Sequence, residues 1–409
     1  MMRHYEHVIV GKGLVGAAAL RYLSVASDGV TAIGPDAPEN WRAYRGVFSS
    51  HYDEGRIATR LSRDHVWARL VERSMTEYAY LEQAGGARSY RPLGMLYVAP
   101  QEDRSLQVQA QLARDLGVDH VELDSAACVE RLSPLRFPSG VRGLLEHAPA
   151  GIFNPRAMLH NHLTIARANG ADVICETVTA IRRCAAHWEL NTACGQQYTA
   201  DKVLVSVGAY TNCFQLLPRQ LDLRVKSEIT ILLQVSKAES EHLREMPPIG
   251  YRIDSPSISD VYVVPPLPYP DGNHYLKLGA NTDTDTILPS FAAIQRWMMA
   301  GPDEPRPDMR EAIFHLLPSL DLLSVRIKRC LVTYSAHGKP YIDELDEGLF
   351  VATAGNGAAA ACSDMLGRLA ADLMSGRPWP AEFERRDFQR RFANSSIRQT
   401  AENEDSPDE

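Results

Sequence analysis

His7-Val8-Ile9-Val10-Gly11-Lys12-Gly13-Leu14-Val15-Gly16, followed by the apolar run Ala17 to Leu23, reads as a β-strand that breaks into G-x-G-x-x-G and passes at once into a helix. That succession is the strand, turn and helix that cradle a dinucleotide pyrophosphate. Gly11 allows the tight turn, Gly13 lets backbone approach phosphate, and Gly16 lets helix pack closely on strand. The phosphates sit at the helix N-terminus, where unpaired N–H groups and the helix dipole favour anions. Val30 to Ile33 is a second β-run, ending in Gly34-Pro35-Asp36. Dinucleotide folds carry an acid near this place to hold ribose hydroxyls, so Asp36 is either that acid or a turn former.

The 409 residues, 45% hydrophobic and 23% charged, are enough for two lobes with separate cores. A net charge of −8 excludes the basic footprint of nucleic-acid binding and disfavours anionic membrane surfaces. No stretch reaches the roughly eighteen apolar residues of a membrane span, and the N-terminal apolar run is the first strand rather than a leader. A cytoplasmic protein is expected, monomeric or a small homo-oligomer. The seven cysteines, Cys128, Cys175, Cys184, Cys194, Cys213, Cys330 and Cys362, are scattered and form no C-x-x-C pair. They read as reduced thiols, with neither a disulfide framework nor a metal site.

Residues 45–63, with Ser50-His51-Tyr52-Asp53-Glu54-Gly55-Arg56-Ile57, show no period and read as a long functional loop. A helix over 63–84, a strand over 90–99, a helix over 102–116 and a strand over 140–146 follow. Pro155 starts a helix that runs to about Asn169. Val173–Cys175, Val178–Arg182, Trp188–Thr192 and Lys202–Ala209 are strands, the last ending where Gly208-Ala209 lets backbone approach a cofactor. Residues 216–325 are strand- and Pro-rich, with Glu228–Val235, Val261–Val264 and Tyr275–Gly279, and read as a separate antiparallel lobe. The chain returns through strands at 327–333 and 349–353 to Gly355-Asn356-Gly357 and a small-residue helix over 358–374, whose N-terminus also faces a cofactor. A single complete fingerprint, in a nucleotide lobe assembled from separated pieces, suits one large bound cofactor.

The chain resembles the FAD-dependent amine oxidases of the monomeric sarcosine oxidase group, within the D-amino-acid oxidase superfamily. The resemblance spans about residues 1–380. It is carried by Val8–Gly16, Ser50–Ile57, Ala200–Tyr210, His274–Gly279 and the run from Lys328-Arg329-Cys330 to Ile342-Asp343. It implies an α/β (α+β) fold in which a Rossmann-like FAD-binding domain, residues 1–84, 148–215 and 326–392, is interleaved with an antiparallel-sheet substrate domain, residues 85–147 and 216–325. The polar, acidic stretch 393–409 reads as a disordered tail.

The same resemblance implies residue roles. Cys330 falls on a cysteine joined through a thioether to the flavin 8α position; a cysteine on a strand is ordinarily a buried thiol, but the matching flanks favour the link. Lys277 falls on the lysine near flavin N5 that promotes reaction with O2, where a fixed cation stabilises developing superoxide charge. Arg56 matches an arginine close to the flavin. The cofactor set is Gly11, Gly13, Gly16, Asp36, Ser50, Arg56, Val178, Gly208, Cys330, Gly355, Asn356 and Gly357. His51, Tyr52, Tyr262 and His337 are the candidate substrate residues. Where sarcosine-oxidising members hold the substrate carboxylate with an arginine and a lysine, this chain has Thr59 and Ala359, while Val332 and Asn281 replace a tyrosine and a histidine. Sarcosine itself is therefore not the expected substrate, and any acidic end falls to Arg60, Arg252, His337 or Lys339. The implied activity is oxidation of a primary or secondary amine: hydride transfer to flavin N5, hydrolysis of the imine, and reduction of O2 to H2O2. A flavin dehydrogenase serving a protein or quinone acceptor, and a non-catalytic flavoprotein subunit, are the rival readings.

Overall fold

The computed structural model describes residues 2–38, 43–131, 134–253, 255–300 and 306–394. Its first layer is an eight-stranded sheet in which Arg3–Val10 pairs in parallel with Val30–Ile33 on one side and Gln197–Val205 on the other. Leu349–Thr353 extends the parallel set beyond Gln197–Val205, and the antiparallel strands Val178–Cys184 and His187–Thr192 continue the sheet. Val8, Ile9 and Val10 are buried because both faces of this sheet are covered, which is why the run is apolar without alternation. Helices Leu14–Ser24, Pro155–Ala168 and Ser363–Met374 pack over the face carrying Ile9 and Leu204. Among the described residues no helix is long and apolar enough to cross a membrane.

A second eight-stranded sheet carries the other lobe, with Leu322–Ser335, Leu223–Val235, His274–Thr282, Ile258–Pro268 and Ile249–Tyr251 in that spatial order. These ladders are antiparallel; Ile249–Tyr251 then meets Met95–Pro100 in parallel. Leu276 and Leu278 turn to a core shared with helix Pro307–Leu316, leaving Lys277 on the opposite face. The domain boundary expected at 326 cuts Leu322–Ser335, which pairs with Leu223–Val235 from Leu322 to Ser335 and so belongs wholly to the second sheet. A strand is one pairing unit, and a boundary read from composition does not respect it. Of the acidic tail, 393 and 394 are described, and Ala393 N–H donates to the Gln220 carbonyl at 3.0 Å; the rest lies outside the described residues.

Four local readings are corrected. The single helix expected over 63–84 is two, His65–Met75 and Tyr78–Gly85, because Thr76 Oγ1 donates to the Arg73 carbonyl at the break and competes with helix continuation. The strand expected over 90–99 splits into Tyr90–Arg91 and Met95–Pro100, bent at Pro92 and at Gly94 with φ 77°. Residues 45–63 are not all loop, since Arg56–Ala58 is a strand paired with Gly151–Phe153. The helix expected from Ala358 begins only at Ser363, because Ala354, Asn356 and Gly357 hold positive φ values of 64°, 48° and 80° and the chain turns through 358–362.

Helices Leu14–Ser24 and Ser363–Met374 approach closely over small residues and share a buried ion pair, Arg21 Nη2 to Asp364 Oδ1 at 2.7 Å, with Tyr22 Oη donating to Asp364 at 2.8 Å. A Cβ placed on Gly367 would lie 2.4 Å from Ala18 Cβ and 2.6 Å from Ala19 N. Gly367→Ala therefore forces the two helices apart and is expected to cost about 1–3 kcal/mol, read as a lowered thermal unfolding midpoint.

Candidate active site

A cavity of about 770 Å³ is lined by both sheets. At one end lies the start of helix Leu14–Ser24, whose N-cap is Gly13; among the described residues no side chain caps it, and no acid occupies its first turn. The first N–H groups thus remain available to an anion, and a Cβ on Gly13 would meet nothing within 4 Å. Gly11 has φ 101°, and a Cβ there would sit 2.3 Å from the Ser206 carbonyl oxygen, so only glycine fits between the two strands. Gly16 is not on the cavity wall: its Cβ would fall 1.9 Å from the Gly11 oxygen, making it a packing position. Asp36 is also off the wall, hydrogen-bonded by Lys12, which does line the cavity. An uncapped helix end beside backbone that admits no side chain fits a dinucleotide pyrophosphate.

Ser50, His51, Tyr52, Arg56, Val178 and Gly208 line the same space. Burial first, then Arg156, Lys12 and Arg56, push the His51 imidazole down to about 3, so it is neutral; its ring meets Tyr52 edge-on at 4.7 Å. Gly355, Asn356 and Gly357 also line it, in the strained turn. Asn356 anchors that turn to the end of Leu322–Ser335, its N–H donating to the Thr333 carbonyl at 2.9 Å and its Oδ1 accepting from Ser335 N–H at 3.0 Å.

The second sheet supplies the opposite wall. Cys330 stands across the ladder from Glu228, and Lys328 from Thr230, all four on the cavity. Tyr262 lies opposite Gly279, whose missing side chain leaves the space its phenol ring fills: a Cβ there would be 2.2 Å from the ring. Beneath this wall is a buried charge cluster centred on Asp53. Lys277 Nζ donates to Asp53 Oδ2 at 2.7 Å and to the Gly55 carbonyl at 2.5 Å, Arg56 Nε lies 3.3 Å from Oδ2, and Lys328 Nζ lies 3.3 Å from Oδ1. Tyr269 Oη and Glu54 N–H also donate to Asp53. Burial opposes ionisation of Asp53, but Lys277, Lys328 and Arg56 outweigh it and hold its pKa well below the usual carboxylate range. Burial lowers Lys277 to about 8; Asp53 pulls the other way, and Arg56 adds to the depression. Lys277, 1% exposed, is buried behind the cavity wall, held by Asp53 with its ammonium 5.5 Å from the centre of the Tyr262 ring.

His337 is not at the site. It sits in the turn after Leu322–Ser335, near the Gln389 carbonyl, edge-on to Tyr341. The residues expected to hold an acidic end are committed elsewhere: Arg60 pairs with buried Glu146 at 2.9 Å, Arg252 with Asp103 at 2.9 Å and Lys339 with Asp64 at 2.5 Å. Thr59 also donates to Glu146, at 2.6 Å, so a buried carboxylate organises this corner of the cavity. Sequence reading missed Asp53, Glu228 and the pairing of Lys328. Signals existed, an acid three residues before Arg56 and a lone acid in the run Val225 to Val235, but their partners lie far along the chain.

Residues 6–373 match the family described as FAD dependent oxidoreductase, DAO. The chain is 26% identical over 306 residues to monomeric sarcosine oxidase of Bacillus sp. (strain B-0618), covering 71% of this chain and 73% of that protein. It is 26% identical over 207 residues to N-methyl-L-tryptophan oxidase of Citrobacter koseri, 50% of this chain and 54% of that protein, so the match spans about half that relative's length. The solved open form of NikD, an unusual amino acid oxidase essential for nikkomycin biosynthesis, superposes with a TM-score of 0.76 at 20% identity over 96% of this chain and 99% of that one. The matched span runs from strand Arg3–Val10 into helix Ser363–Met374, nearly the whole described fold: this chain belongs to the DAO family of FAD dependent oxidoreductases.

Proposed function

We propose that the protein oxidises a primary or secondary amine, an amino acid or a related amine, releasing an imine that hydrolyses and H2O2 from O2. The observation that carries this reading is one cavity joining an uncapped helix end, suited to the pyrophosphate, to the buried cations around Asp53 at the reaction end. The relatives named for oxidation of sarcosine and of N-methyl-L-tryptophan support an amine as reductant. FAD, when bound, would supply the two-electron acceptor for amine oxidation and the route of those electrons to O2.

In this reading the lobe built on the parallel sheet holds the cofactor, through Gly11, Gly13 and the uncapped amides, with Ser50, Val178, Gly208 and the 355–357 turn around it. The second sheet offers Cys330 as the thioether anchor and Tyr262, with His51 and Tyr52 across the cavity, as substrate walls. Arg56 and Lys328 disfavour a second positive charge at the reacting nitrogen, so the amine reacts in its neutral form. Lys277, cationic below about pH 8, stabilises the negative charge that develops as O2 is reduced. Asp53 holds that ammonium in place. Apart from Cys330, the cysteines stand as unpaired thiols, in keeping with a cytoplasmic setting.

Acid denaturation of the purified yellow protein is expected to leave the flavin with the pellet, and to release it from Cys330→Ala; free FAD from both would remove the covalent anchor. A panel of amines should bleach the flavin anaerobically and release H2O2 in air, and a panel that bleaches nothing would sink the oxidase reading. Lys277→Met should slow reoxidation of the reduced enzyme by O2 roughly 100-fold, in line with the loss of one preorganised charge. Because Lys277 is charged below its pKa and neutral above it, the wild-type reoxidation rate should fall as pH rises through about 8, a step absent from the variant in stopped-flow traces.

A further inference from the structure

The Glu228 side chain lies on the cavity face of Leu223–Val235, beside Thr230 on the same strand and across from Cys330. It is 13% exposed, and among the described residues its carboxylate accepts no hydrogen bond; the cation within ion-pair reach is Lys226 Nζ at 3.9 Å. That ammonium is already engaged, donating to Asp285 Oδ2 and to Asn281 Oδ1, each at 2.7 Å. A carboxylate largely removed from water with no donor is destabilised. Burial accordingly raises the Glu228 pKa, only partly countered by Lys226. The remaining charged groups near it, Arg56 and Lys277, are turned to Asp53.

We propose that Glu228 is a specificity residue that binds a second cationic group of the substrate, so that the substrate class is an amine carrying a further ammonium or guanidinium at its far end. This rests on the amine-oxidase reading of the same cavity. Three further observations support it. Glu228 lines the cavity that cofactor and substrate would share, rather than the outer surface of the lobe. Arg60, Arg252 and Lys339, which would have recognised an acidic end, are each paired with an acid of their own. A cation at Glu228 would provide the donors that the carboxylate lacks among the described residues, and partial burial strengthens such a charge-assisted hydrogen bond. The reacting amine, neutral near Arg56 and Lys328, and the distal cation near Glu228 are thus distinguished by the local charge of the two walls.

The test uses the holoenzyme with its flavin as the reporter. α,ω-Diaminoalkanes of graded chain length, the matching monoalkylamines and the matching ω-amino acids are titrated into wild type and Glu228→Gln, followed by flavin absorbance, with Glu228→Asp as a second variant. Wild type is expected to bind the best diamine at least about tenfold more tightly than its monoamine, the effect of one charge-assisted contact, and Glu228→Gln to lose that preference while binding the monoamine unchanged. Glu228→Asp should retain part of it. Equal affinity of wild type for diamine and monoamine, or preference for the ω-amino acid, overturns the proposal without any variant. A Glu228→Gln enzyme weakened equally toward all three ligands also overturns it, since the carboxylate would then act on the flavin or the fold. Glu228-dependent diamine binding without flavin reduction upholds this inference and removes the oxidase reading, whereas diamine oxidation indifferent to Glu228 does the reverse.

Discussion

Asp53 binds three cations in a place where none of the four charges could stay alone. Each would carry several kcal/mol of desolvation cost if buried unpaired. Together they are held because Asp53 meets Lys277, Lys328 and Arg56 at once and also accepts from Tyr269 and its own Glu54 N–H. The consequence is architectural. The loop carrying Asp53 reaches from the small sheet of Arg56–Ala58 to two strands of the second sheet, His274–Thr282 and Leu322–Ser335, and locks their register relative to the cavity. With one carboxylate against three cations the wall stays net positive, which is the charge a reduced flavin or a reduced oxygen species requires on its protein side.

The two ends of the cavity are built by different means. At the nucleotide end the work is done by backbone: a turn at Gly11, open space at Gly13 and amides that no side chain caps. Such a site tolerates wide change in sequence, because what must be kept is chain path and the absence of side chains. At the other end the wall is made of side chains two residues apart on paired strands, Glu228 with Thr230 and Lys328 with Cys330, so a single substitution there changes the chemistry the wall presents.

Much of the fold was legible in order along the chain. The apolar run Val8 to Val10, the glycines after it, the helix start at Pro155, and the antiparallel strands between 223 and 282 are local signals, and the structure has these elements there. Where reading failed, a nonlocal or unusual backbone requirement had taken over. Ala358 to Ala361 has the composition of a helix, yet positive φ at Ala354 and Asn356, held by Thr333 and Ser335, delays the helix to Ser363. Lys277 was singled out, but its partner was not, because Asp53 is 224 residues away. His337 looked available only because a turn histidine carries no mark of which way its turn faces.

By itself the sequence determined the family frame and the two kinds of sheet, since these depend on short-range periodicity, glycine conformation and residue type. Tertiary structure alone decided which charges meet. Asp53 among its three cations, Arg60 withdrawn onto Glu146, and Glu228 on the cavity wall with no donor among the described residues are outcomes of long-range packing and desolvation. Those energies are set by what surrounds a group in space, and neighbours in sequence carry no record of them.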